Sequence, residues 1–223
     1  MTGRTVILIP ALNAAATLPS LLDTLLQRFS PESILVVNDG STDKTEEVVR
    51  SRQIPCISLE KTGGKGAALR AGFRLLRNDQ SVDSVATMDA DLQHDPEDLP
   101  AFLQCRKETG SNIVLGSRRI LGTAMPVHRR LSNVMTSFLV SARTGCPIRD
   151  SQCGFRLIGM EVLRAIETES AGYEAETELL LKACRMGFTV TSVPIRTVYG
   201  GERSSMTHWD TTRKFIRTLM KEF

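Results

Sequence analysis

Two hydrophobic patterns alternate along the first half of this chain: short unbroken apolar runs, then apolar residues at helical spacing. Residues 5–9 form a continuous apolar run that reads as a buried strand stopped by Pro10. Leu18, Leu21, Leu22, Leu25, Leu26 and Phe29 then follow a 3.6-residue period. A second strand is expected over 33–37, ending at Asn38-Asp39-Gly40-Ser41, and a helix from about Asp43 with Glu46 at capping-box spacing. Further strands are predicted over 54–59, 82–88 and 112–115, with helices opening at Gly63-Gly64-Lys65-Gly66 and spanning 96–109. This strand–helix rhythm predicts an α/β fold whose mostly parallel central sheet is flanked by helices.

Beyond residue 118 the rhythm changes. Leu131, Val134, Met135, Phe138, Leu139 and Ala142 give one apolar helical face. Strands are expected over 155–158, 189–193 and 196–199, the last two around Pro194, with helices over 174–186 and 208–222. There is no internal repeat and no low-complexity linker. The expectation is one domain over 1–223, with residues 1–117 forming one part and 118–223 another.

The parallel arrangement puts four polar loops (10–13, 39–41, 89–93 and 116–118) at carboxyl ends of strands, along one edge, where open α/β sheets bind ligands. The third of these is the most informative. Asp89 and Asp91 stand two residues apart just past a buried strand, with Gln93 two residues further. A hard divalent cation needs oxygen ligands and often takes substrate phosphates to complete its shell. The simpler alternative for a D-x-D is a solvated turn before the helix opened by Pro96.

Charge distribution adds a second ligand. Residues 81–110 hold seven acids against Arg106 and Lys107, whereas residues 118–149 hold six arginines (118, 119, 129, 130, 143 and 149) and no acid. Arginine suits phosphate geometry, so a second anion is expected beside the acidic cradle. Nucleic acid is disfavoured because aromatic residues are only 5% of the chain and do not interleave with the basic ones. Five cysteines without a C-x-x-C predict a reducing, cytoplasmic setting and no structural zinc. Neither a signal peptide nor a membrane-spanning helix is expected, because no apolar stretch approaches spanning length.

The segments VILIPALN (6–13), VVNDGSTDKT (36–45), GGKGAALRAGF (63–73), MDADLQHDPEDLP (88–100), GSR (116–118), DSQCGFR (150–156) and YGGERSS (199–205) carry a resemblance. Their linear order resembles that of the family-2 glycosyltransferases with the GT-A fold, above all the dolichyl- or polyprenyl-phosphate mannose and glucose synthases. The resemblance implies that Pro10, Ala11 and Asn13 line a base and ribose pocket, that Asp39 contacts the base, and that Lys65 belongs to a nucleotide-proximal loop. It implies nucleotide-sugar and metal roles for Asp89, Ala90, Asp91 and Gln93, with Mg²⁺ or Mn²⁺ as the ion. Arg118 would face donor or acceptor phosphate, and Arg129 or Arg130 the acceptor phosphate. Arg203 and Ser205 resemble a loop closing over the diphosphate. Two departures are Ala14, where the family often has Glu, and Met206, where many mannosyl synthases have Lys.

The activity so implied is an inverting, metal-dependent transfer of a hexose from GDP-mannose or UDP-glucose to a polyprenyl phosphate. A lipid monophosphate needs no protein base, its second pKa lying near ~6. Asp150 could instead be a general base for a saccharide hydroxyl, or could orient Arg156. Glu174, Glu176 and Glu178 read as a solvated helix start, and His94, His128 and His208 as surface residues. A catalytically silent nucleotide-sugar-binding subunit is the alternative from another class. A polyprenyl acceptor implies work at a membrane surface, and the last helix has an interfacial pattern, with Trp209, Ile216, Leu219, Met220 and Phe223 near one side. Peripheral attachment to the cytoplasmic face is expected, with a membrane-anchored partner or a homodimer contact also compatible.

Overall fold

The computed structural model describes residues 3–118, 127–196 and 208–221, the side chains of 127–130 and 208–212 excepted. Seven strands share one sheet: β1 (Arg4–Ala11), β2 (Ile34–Asn38), β3 (Cys56–Ser58), β4 (Val82–Thr87), β5 (Ile113–Arg118), β6 (Arg156–Gly159) and β7 (Val190–Ile195). Their order is β3-β2-β1-β4-β6-β5-β7, and all pairings are parallel except those of β6 with β4 and β5. The helices are α1 (Leu18–Leu26), α2 (Thr45–Arg50), α3 (Lys65–Arg77), α4 (Leu99–Thr109), α5 (Val127–Thr144), α6 (Met160–Ala165), α7 (Glu174–Arg185) and α8 (His208–Met220).

Strand alternation divides the apolar runs between two core layers. Ile7 and Ile9 share one layer with Leu18, Leu22 and Leu25 of α1 and Phe102 of α4. Val6 and Leu8 share the other with Leu69 and Phe73 of α3 and Leu180 of α7. Because both faces are covered, β1 has no polar alternation to show. Each such side chain contributes roughly 1.5–3 kcal/mol relative to exposure.

Several sequence expectations are corrected. Pro10 does not stop β1, which continues to Ala11. Its missing N–H faces the β4 side, where the ladder has already ended at Leu8 and Thr87, so no bond is lost. Pro194 likewise sits inside β7, tolerated because β7 is an edge strand paired only with β5. Arg196 follows the strand, and residues 197–199 lie outside the described residues. The capping box at α2 does not form: Asp43 accepts the Thr45 N–H (3.0 Å), while Glu46 is drawn to the Ser58 hydroxyl (2.7 Å). The short helix α6 was not predicted.

The antiparallel β6 matters for function. Because it runs against its neighbours, its incoming loop lies at the same edge as the outgoing loops of β1, β2, β4 and β5.

Candidate active site

Side chains tie the strand-end loops of the first half to one another. Asn13, at φ 50°, receives the Thr42 N–H on its side-chain oxygen (2.9 Å) and donates its own N–H to Ser41 (2.9 Å). Asp43 accepts the Ala15 N–H (3.0 Å) and the Thr45 hydroxyl the Ala14 N–H (2.8 Å). Asp39 is buried, and its two oxygens accept the Gly63 (2.8 Å) and Gly64 (2.9 Å) N–H groups. Gly64 adopts φ 93°, in the left-handed region that favours glycine. The Asp39 carboxylate thus fixes the turn that launches α3, and the Asp39 N–H bonds Ala11 C=O (2.8 Å). Ala11 itself points into the core.

That turn delivers Lys65 to the acidic pair. Its Nζ lies 2.5 Å from Asp89 Oδ1 and 3.2 Å from Glu176 Oε2, with the Tyr173 ring 5.5 Å away. Burial pushes the Lys65 ammonium down, but the two carboxylates outweigh it and raise its pKa. Burial likewise raises Asp89, and Lys65 then His94 more than reverse that, leaving Asp89 below its usual value. Asp91 differs. Burial and the Asp89 charge raise its pKa, opposed by the Gln93 N–H, which bonds Asp91 Oδ1 at 3.0 Å. Leu92 between them has φ 62°, a strained value for a branched side chain.

The other wall comes from the loop before β6. Antiparallel register pairs Thr87 with Arg156, and continuing it two residues sets Asp89 opposite Gly154. A Cβ at Gly154 would collide with Asp89 Oδ2 and lie 2.8 Å from Lys65 Nζ, so any larger residue there would have to displace that ion pair. Asp150 is buried and grips Arg118 through Nε (2.8 Å), Nη2 (3.0 Å) and the backbone N–H (3.2 Å). The expectation that Asp150 orients Arg156 is therefore corrected. Arg156 is 1% exposed and instead bonds the carbonyls of Cys153 (2.8 Å), Ser151 (2.9 Å) and Glu176 (2.8 Å).

Two further readings are overturned. His94 is buried, not on the surface: it packs on Phe155 and its Nδ1 accepts the Asp89 N–H (3.4 Å). Burial lowers its pKa despite Asp89 and Asp91, so it is a neutral brace for the loop. Glu176 and Glu178 are buried rather than solvated. The position of Glu176 was readable: 176, 179, 180 and 183 form one helical stripe whose other members are Leu, Leu and Ala. Pro10 and Ala90 lie where the strand-end reading puts them, in or just past β1 and β4. Arg129 and Arg130 begin α5 with side chains outside the description, as is that of His128, and Arg203 and Ser205 lie outside the described residues. On α8, Leu219 packs inward while Ile216 and Met220 are exposed, and the Trp209 side chain and Phe223 lie outside the described residues.

A divalent cation fits this chemistry only as a shared ligand. Among the described residues no group of three or more His, Cys, Asp or Glu is placed to hold a metal. Asp91 is the carboxylate with one hydrogen bond and a raised pKa, and a cation there would offset the charge crowding. Substrate phosphates and water would have to complete the shell.

Several known proteins resemble this chain. Undecaprenyl-phosphate mannosyltransferase of Micrococcus luteus is 32% identical over 203 residues, covering 86% of this chain and 82% of that protein. Polyprenol monophosphomannose synthase of Mycolicibacterium smegmatis is 33% identical over 211 residues, covering 87% and 77%. Among solved structures, glucosyl-3-phosphoglycerate synthase from Mycobacterium tuberculosis, in complex with Mn²⁺, UDP and glucosyl-3-phosphoglycerate, matches with a TM-score of 0.77 at 22% identity, covering 98% of this chain and 79% of that one. The sheet and its flanking helices are thus the GT-A fold. The profile described as Glycosyl transferase family 2 matches residues 6–166, and the chain belongs to that family.

Proposed function

We propose that this protein transfers a hexose, mannose in the first instance, from a nucleotide sugar to a polyprenyl phosphate, with inversion at the anomeric carbon. The observation that carries the reading is the pairing, at one sheet edge, of an acidic donor cradle (Asp89, Asp91) with an arginine held by a buried carboxylate (Arg118 on Asp150). The donor would lie across the loops of β1, β2 and β4. When bound at Asp91, Mg²⁺ or Mn²⁺ would supply Lewis-acid neutralisation of the departing nucleoside diphosphate. The lipid phosphate, largely a dianion at neutral pH, is its own nucleophile, and Arg118 with Arg129 or Arg130 would place it for in-line attack. Arg203 and Ser205 are assigned to the diphosphate.

A lipid acceptor is supported by α5. Leu131 (68%), Val134 (48%), Met135 (56%) and Phe138 (69%) are exposed along one face of a helix within the acid-free stretch. An apolar face bordered by arginines suits an anionic bilayer and disfavours pairing with a second, equally basic copy. Among the described residues no helix is long and apolar enough to cross a membrane, so attachment through a surface of this kind is what we assign. Transfer to a saccharide hydroxyl is the weaker reading, because it needs a base and Asp150 is occupied by Arg118 at three points. The test is transfer of radiolabelled sugar from GDP-mannose and from UDP-glucose to a short polyprenyl phosphate, with and without Mg²⁺ or Mn²⁺. A metal-dependent lipid-phosphate sugar supports the reading. Transfer to a saccharide but not to the lipid phosphate overturns it.

A further inference from the structure

We infer that Lys65 is a built-in cation that holds Asp89 closed to metal, so that a divalent ion enters this site only together with a nucleoside diphosphate. The inference rests on the proposed metal-dependent transfer and concerns how its site is loaded. Lys65 Nζ lies 2.5 Å from Asp89 Oδ1, where a divalent cation shared between Asp89 and Asp91 would have to approach. Its side chain is only 12% exposed and is anchored from the far side by Glu176 at 3.2 Å. Glu176 is in turn fixed by Arg156, whose Nε lies 3.7 Å from its Oε1 and whose Nη1 donates to its backbone carbonyl (2.8 Å). The four groups, Lys65 and Arg156 against Asp89 and Glu176, form a largely buried set with equal numbers of positive and negative charges. Asp91 is left outside it.

The packing gives Lys65 little freedom. Its backbone is set by the Asp39-bound turn, and Gly154 closes against both Lys65 and Asp89 with no room for a Cβ. Ala67 N–H bonds the Ala171 carbonyl (3.1 Å), and Arg70 bonds those of Thr168 and Ser170 (3.1 Å each), clamping the first turns of α3 to the segment before α7. With Asp89 engaged, the protein offers a cation one carboxylate. A single carboxylate binds Mg²⁺ or Mn²⁺ weakly, and two diphosphate oxygens arriving with the donor supply the missing ligands. Premature metal capture is avoided, and the ion is delivered where leaving-group charge develops.

The test uses the full chain and reads binding rather than turnover. Loss of the free Mn²⁺ EPR signal measures Mn²⁺ binding by protein alone, and calorimetric titration measures UDP and GDP binding with and without Mn²⁺. For the wild type, protein alone leaves the signal essentially unchanged, while Mn²⁺ tightens one nucleotide at least tenfold. Lys65→Met frees Asp89 and tightens nucleotide-free Mn²⁺ binding at least tenfold, with a Mn²⁺-dependent rise in Tm that the wild type lacks. Wild-type protein binding Mn²⁺ alone as tightly as with nucleotide overturns the inference, as does a folded Lys65→Met protein with unchanged Mn²⁺ affinity. If that variant does not fold, the wild-type comparison still decides. No effect of Mn²⁺ on either nucleotide in the wild type would instead sink the metal-dependent reading beneath it.

Discussion

In the first half of the molecule, short polar side chains bind neighbouring backbone: Asn13 to Thr42, Asp43 to Ala15, Asp39 to Gly63 and Gly64. Beyond Arg118 the corresponding edge is built from long cations on buried acceptors, Arg118 on Asp150 and Arg156 on three carbonyls, and beside it α5 shows an apolar face to solvent. The two constructions suit two kinds of ligand. A nucleotide sugar is small, polar and constant, and rewards a frame fixed to within about half an ångström. A lipid phosphate presents one dense charge and a long apolar tail, and rewards placed guanidinium groups next to an apolar surface.

The sharpest way to break this division is at Asp91. Asp91→Asn should lower kcat by about 10²–10³-fold, the scale seen when a group stabilising developing charge is lost. Removing divalent metal from the wild type should have a comparable effect, and the variant should respond little to added Mn²⁺. If Asp91→Asn raises only the acceptor KM, the assignment of this edge to the donor is wrong.

Next in size come Arg118 and Asp150. Arg118→Lys cannot keep the two-point grip on Asp150, and should raise the acceptor KM about 10–100-fold with a small change in donor KM. Asp150→Asn keeps one acceptor oxygen and should fall short of the Arg118→Lys loss if Asp150 only positions Arg118. A general base would behave differently: Asp150→Asn would abolish kcat at saturating acceptor while leaving donor binding intact.

These residues also show what the sequence exposed and what it hid. The strand-end loops were legible because each follows an unbroken apolar run and breaks it with Asn, Asp or Gly. The antiparallel entry of β6 was not legible, since nothing in Arg-Leu-Ile-Gly over 156–159 marks the direction of a strand. With that direction unknown, Gly154 could not be set opposite Asp89, and Asp150 was matched to Arg156 in its own segment rather than to Arg118, 32 residues away. Glu176 was misread because three glutamates at alternate positions resemble a solvated helix start. Its place on the stripe with Leu179, Leu180 and Ala183 was the stronger signal, and it pointed to a buried charge needing a partner.

The acceptor half can be probed apart from catalysis at α5. Leu131→Ser combined with Phe138→Ser removes the two most exposed apolar side chains among the described residues of that helix while leaving the Asp91 and Arg118 sites untouched. Flotation with vesicles containing anionic lipid should fall about tenfold, corresponding to ~1.4 kcal/mol. Turnover of a short water-soluble acceptor should be unchanged. Equal flotation of the variant and the wild type would remove α5 from the membrane surface. Loss of a wild-type dimer in its place would assign the face to a second copy.

The smallest expected effect on catalysis belongs to Glu178, which tests whether the clamp on α3 is held from the acceptor side. Its carboxylate is buried and accepts the N–H groups of Glu169 (2.9 Å) and Ser170 (2.9 Å), with Lys182 Nζ at 2.7 Å. Burial raises the Glu178 pKa, but Lys182 and the Ser170 and Glu169 donors outweigh burial and hold it below its usual value. A carboxyl with a lowered folded-state pKa adds stability that is full above its unfolded value, about 4.3, and is lost as pH falls through the folded value. Wild-type urea midpoints should therefore fall on acidification below that unfolded value. Glu178→Gln should start about 1–3 kcal/mol lower at pH 7, the worth of a charged hydrogen bond, and should decline less on acidification. If the two proteins lose stability in parallel, Glu178 is not the group that titrates. The segment over the start of α3 would then be held chiefly by Arg70, and the donor half would supply its own clamp.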